Sequence, residues 1–193
     1  MSTTKALSGF RPSRIRGSGV NSTGVSEYRI ASGTTGNIFT GDLVKNVDGN
    51  IEVITSADNR TVGVFMGCNY VQDGVPKWSS YWPSGTSTTD ARAMVMDDPQ
   101  ATFIVQADAS VTVGDINSQN FDVTLGSGST YTGRSGFGIQ AASRTGASAM
   151  VRVISVLQEP GNNIDVATER AFPKLEVRLV QNVDAYVTVS VAS

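Results

Sequence analysis

The sequence contains no histidine, a single cysteine (Cys68) and only two tryptophans in 193 residues. Without an imidazole there is no general base of the commonest kind, no Ser-His-Asp or Cys-His nucleophile, and none of the usual zinc ligand sets. One cysteine cannot close an internal disulfide, and Cys68, at the end of an apolar run, reads as a small buried hydrophobe. No apolar run approaches the ~20 residues of a membrane-spanning helix, and the N-terminus lacks the apolar stretch of a signal peptide. The net charge of −2 is not the basic excess expected of a nucleic-acid binder. No segment keeps apolar residues at i, i+3, i+4, i+7 for three turns, which excludes a helical bundle.

What is abundant is Gly, Ser, Thr and Val, a composition that favours strands joined by many turns. The organising stretch is residues 35–67. Two β-rich runs, Leu43–Val47 and Ile51–Ile54, flank Asp48-Gly49-Asn50, a hairpin signal because Gly tolerates the positive φ of tight turns. A third run, Thr61–Gly67, follows too closely for a helical crossover, so an antiparallel meander is expected. Further strands are expected at residues 26–31, 91–96, 102–106, 121–125, 149–157, 175–180 and 186–191, the last two as a closing hairpin. Asp73-Gly74 marks another turn, and residues 126–138 form a Gly/Ser/Thr surface loop. Ten to twelve strands at this spacing predict an all-β fold, an antiparallel β-sandwich or barrel.

Residues 1–24 differ from the rest. All four of their charged side chains are basic (Lys5, Arg11, Arg14, Arg16), and their apolar residues are isolated. Such a segment cannot build its own core, so it is expected to be an extended basic arm that orders on a partner or across the body. Phe10, Arg11, Pro12, Arg14 and Arg16 are its candidate contact residues. Residues 25–193 then form a single β-rich domain.

Chemistry-bearing groupings are sparse. Asp97 and Asp98 are the obvious carboxylate pair, but adjacent strand residues point to opposite faces, and before Pro99 they read as a turn. Asp115, Asn117, Asn120 and Asp122 lack the calcium-loop spacing and its turn glycine. Gly133–Gly138 lacks the lysine and the following helix of a phosphate loop. No catalytic residue, cofactor or metal is therefore expected. Trp78, Tyr81 and Trp82 form the densest aromatic cluster. They read as core, as an interface anchor, or as a carbohydrate platform.

Gly9-Phe10-Arg11-Pro12, the Gly36–Val44 entry, Val62–Tyr70, Trp78–Pro83 and Met96-Asp97-Asp98-Pro99 together resemble structural proteins of tailed bacteriophages. The resemblance, over residues 9–105, is to proteins that decorate or cement the head. It implies a non-enzymatic virion protein on the outer surface of the phage head, whose partner is the major capsid protein. It further implies self-association, as a trimer before a dimer, with neither nucleic acid nor membrane as partner. In that setting the basic arm would steer toward an acidic capsid surface. The competing reading is a carbohydrate-binding β-module for host-surface adhesion, in a head fibre or tail component. A glycan-cleaving enzyme on Asp97 or Asp98 is the third.

Overall fold

The structure, a computed structural model, describes residues 4–16, 24–56, 58, 60–88, 90–144, 149–165 and 171–180. Among these residues there is no α-helix, only strands and two short 3-10 turns. The all-β expectation holds, and both of its forms are present: a barrel with a sheet packed against it.

The barrel uses β2 (Val25–Arg29), β4 (Leu43–Val47), β5 (Asn50–Val53), β6 (Gly63–Gln72) and β9 (Ala91–Met96), in the ring order β4-β5-β2-β9-β6 and back to β4. A ring with an odd number of strands cannot alternate direction throughout. The parallel contact falls between β2 and β5, through Arg29 and Asn50. The β4–β5 hairpin turns through Asp48 (φ 50°) and Gly49 (φ 80°), a two-residue loop with both central residues at positive φ, as the Asp-Gly pair predicts. Asp73 and Gly74 make an equivalent turn from β6 into β7 (Val75–Ser79), which extends the barrel wall.

The third run does not follow as a meander. β6 pairs with β4 and β9 rather than with its sequence neighbour β5, because β5 is taken up by β2. This makes the β4–β6 wall apolar on both faces. Val44 and Phe65 point into the barrel, with Ile51, Cys68, Trp82, Ala93 and Val95. Leu43 and Val64, cross-strand partners, point out of it into a second core. Burial on both faces explains the near-continuous hydrophobicity of residues 62–68.

That second core is closed by a five-stranded antiparallel sheet ordered β1 (Arg11–Ile15), β10 (Ala101–Gln106), β15 (Lys174–Leu179), β14 (Val151–Val156) and β11 (Asn120–Phe121). Phe103, Val105, Val153, Leu175 and Val177 supply its inner face.

Two further expectations change. Residues 121–125 are not one strand: the run splits into β11 and β12 (Val123–Thr124), and β12 pairs instead with β13 (Gly138–Ile139). The 126–138 loop is not a loose surface excursion, since Gly133 and residues 135–137 are buried. Its glycines allow close approach: a side chain at Gly126 would strike the Gly136 carbonyl, and one at Gly128 the Phe39 ring. The expected strand at 186–191, and with it the closing hairpin, lies outside the described residues.

The basic arm takes the second of its two expected courses. Residues 4–16 lie across the body, and β1 is an edge strand hydrogen-bonded to β10. Pro12 is tolerated there because an edge strand needs no N–H donor on its open side.

Candidate functional site

Of the arm residues expected to contact a partner, Phe10 must be corrected. It is only 1% exposed, and its ring meets Phe103 edge-on at 6.4 Å between centroids. The isolated aromatic is a plug in the inter-lobe core, fixed by backbone bonds from Gly9 to Phe137 and from Phe10 to Gly41. It cannot at the same time anchor an external partner.

The arginines go the other way. Arg11, Pro12, Arg14 and Arg16 are exposed. Because inner-face residues such as Phe103 and Val177 alternate with outer-face residues, strand register decides which side chains join Arg14. It lies opposite Thr102, which lies opposite Arg178, which lies opposite Arg152, which lies opposite Asn120. One lateral row across five strands thus carries three guanidinium groups. Arg11 stands in the next row, opposite Ile104, with Glu176 beyond it.

Glu176 is the acidic residue within these two rows, and it is internally engaged. Arg14 donates to it through Nε at 2.7 Å and a terminal nitrogen at 2.8 Å, and Thr102 and Ser155 hydroxyls each donate at 2.8 Å. Burial alone would raise its pKa, but the hydrogen bonds from Arg14, Thr102 and Ser155 and the Arg14 charge hold it below the ordinary value. Arg152 donates to the Asn120 amide oxygen at 2.8 Å. Arg178 makes no salt bridge among the described residues. Like charges facing each other across a ladder, as Arg152 and Arg178 do, are destabilising. The outer face of this sheet is therefore basic although the chain carries a net charge of −2.

The aromatic cluster does not stay together. Trp82, on β8 (Tyr81–Trp82), is fully buried against Tyr70 at 5.3 Å between centroids, and its indole N–H has no acceptor among the described residues. Tyr81 is half-buried and stacks on Phe39 at 5.6 Å, through the pairing of β8 with β3 (Ile38–Phe39). Trp78, on β7, is 70% exposed. Period-two alternation and the break at Ser80 send the three rings to three environments, so they form no common platform.

The remaining groupings have structural duties. Asp97 accepts the Tyr28 hydroxyl at 2.8 Å, whereas Asp98 accepts the Gln100 backbone N–H at 2.7 Å, so the two carboxylates serve different partners. Asp115 is buried, caps Thr112 and pairs with Arg144 at 2.7 Å. No group of His, Cys, Asp or Glu side chains able to hold a metal ion occurs among the described residues. Cys68 is fully buried, and burial pushes its thiol up to about 12, in keeping with its reading as a small hydrophobe.

Asp42 is the one strongly perturbed carboxyl among the described residues. It is 2% exposed at the junction of the two lobes, with Oδ2 accepting the Phe39 N–H at 2.7 Å. Oδ1 has no hydrogen-bond partner among the described residues, and the Ser135 hydroxyl is a neighbour of the carboxyl group. Burial pushes its pKa up to about 6 against the lowering effect of those two neighbours.

Sequence reasoning missed Arg152, Arg178 and Glu176 as site residues. The alternation in residues 149–157 and 175–180 does place each of them opposite the apolar positions of its strand. What alternation cannot supply is the register that sets them beside Arg14. No family model, curated protein or solved structure matches the chain.

Proposed function

We propose that the chain is a structural virion protein that binds the outside of a tailed-phage head and cements neighbouring major capsid subunits. The observation that supports this reading best is the row of Arg14, Arg178 and Arg152, with Arg11 beside it. Arginines drawn from both ends of the sequence converge on one outer sheet face, the arrangement suited to an acidic protein surface. The two filled cores make the body that presents this face rigid. The resemblance over residues 9–105 supplies the class of partner. Self-association as a trimer belongs to the same reading.

The test is co-sedimentation of the purified chain with phage heads that lack it. Arg11→Glu combined with Arg178→Glu weakens binding at least about tenfold, because each reversal replaces attraction with repulsion in the contact, and binding falls steeply with salt. Arg14 is left intact because it also holds β1 in place. Full head binding by the double variant, with its fold retained, overturns the reading.

A further inference from the structure

Trp78 is a large flat ring left in solvent on a protein that buries its other tryptophan completely. Its surroundings are a groove of about 530 Å³, lined by Glu27, Asn69, Pro76, Trp78, Asp90 and Arg92 among others. The groove lies on the outer wall of the barrel, remote in the sheet order from the arginine row. Register builds it: Trp78 stands opposite Asn69 on β6, and Asn69 stands opposite Arg92 on β9. Arg92 Nε is held 3.2 Å from an Asp90 oxygen, with both side chains substantially exposed.

We infer that this groove is a binding site for a neutral saccharide, with Trp78 as the stacking plane and Asn69, Arg92, Asp90 and Glu27 as partners for its hydroxyls. Three properties select that ligand class. An exposed indole offers an electron-rich face to the weakly positive C–H groups of a pyranose ring. The Arg92–Asp90 pair sets an N–H donor beside a carboxylate acceptor, matching adjacent hydroxyls that each donate and accept, and Asn69 offers both functions in one amide. The charges nearly balance. A polyanion would meet Glu27 and Asp90, a polycation would meet Arg92, and a neutral polyhydroxylated ligand uses all three. The volume falls in the range of small-ligand sites. Glu27, Asn69, Trp78 and Arg92 all stand on strands, which hold them in place without loop ordering and lower the cost of binding.

This assignment differs from an aromatic platform of Trp78, Tyr81 and Trp82, because only Trp78 of the three lines the groove. It is also independent of the capsid reading, which uses the opposite lobe.

The experiment is titration of the full chain with neutral disaccharides (maltose, lactose, cellobiose and N,N′-diacetylchitobiose), followed by tryptophan fluorescence. Trp82 is buried, so a change reports on Trp78. At least one sugar gives a saturable blue shift with Kd near about 1 mM, the affinity of a shallow single site. Trp78→Ala abolishes the response, and Asn69→Ala or Arg92→Ala weakens it about fivefold, the equivalent of one hydrogen bond. Circular dichroism and binding to heads stay unchanged in all three. No saturable response to any of the four sugars at about 10 mM overturns the inference, as does a response that survives Trp78→Ala. Loss of head binding in Trp78→Ala without any sugar response also overturns it, making the groove a protein contact.

Discussion

Arg14 and Glu176, 162 residues apart in the chain, meet in a two-pronged ion pair that ties the N-terminal strand to the centre of the five-stranded sheet. The pair forms because register brings β1 and β15 to either side of β10, and because Thr102 and Ser155 satisfy the remaining carboxylate lone pairs.

Glu176→Ala removes an acceptor of four hydrogen bonds and takes away the acceptor of the Ser155 hydroxyl, while the Thr102 hydroxyl keeps the Arg14 carbonyl. The expected loss is about 1–3 kcal/mol in chemical denaturation. The pH dependence has a definite sign. The folded pKa of Glu176 lies below its ordinary value, so its contribution is complete above the ordinary carboxylate range and is lost as pH falls through the depressed folded value. Glu176→Ala should therefore flatten the acid limb of the stability curve. An unchanged acid limb would show that the pair does not carry this share of the stability.

Asp42 works in the opposite direction. Its folded pKa is raised to about 6, so its protonated form favours folding and that advantage disappears as pH rises from the ordinary value toward 6. Asp42→Asn keeps an acceptor for the Phe39 N–H and removes the buried charge. It is expected to stabilise the protein at neutral pH by about 1–3 kcal/mol, the scale of a shift of roughly two units, and to remove the slope between about pH 4 and 6. Urea melts of both forms at pH 4.5 and 7.5 check this; a neutral-pH destabilisation would contradict it.

Phe10 makes the arm part of the fold. Phe10→Ala opens a cavity in the inter-lobe core next to Phe103 and should cost about 3–5 kcal/mol. Deleting residues 1–16 should lower the melting temperature at least as much, since it also exposes the β10 edge. A deletion variant as stable as the full chain would mean the arm is a separable appendage.

How much of this was legible in the sequence differs by scale. Local chemistry was: Asp48-Gly49 and Asp73-Gly74 turn where only such pairs adopt positive φ, and residues 91–96 alternate as a half-buried strand must. Pairing between distant strands was not. Val64 and Phe65 look alike in sequence, yet one faces the inter-lobe core and the other the barrel, because β6 closes on β4 instead of β5. The same gap hid the site. Arg11 and Arg14 stand out in a basic segment, whereas Arg152 and Arg178 sit inside apolar strands and gain meaning only from a register set over more than a hundred residues. Phe10 was misassigned for a related reason: an isolated aromatic gives no local sign that its partners, Phe103 and Phe137, arrive from far along the chain.

The proposed virion role is tested most directly by quantitative mass spectrometry of purified phage particles, taking the ratio of this chain to the major shell protein. The account predicts a ratio near one, or a simple fraction set by the symmetry axes of the shell. A few copies per particle would point to a tail or vertex component, and absence from the virion would contradict the account.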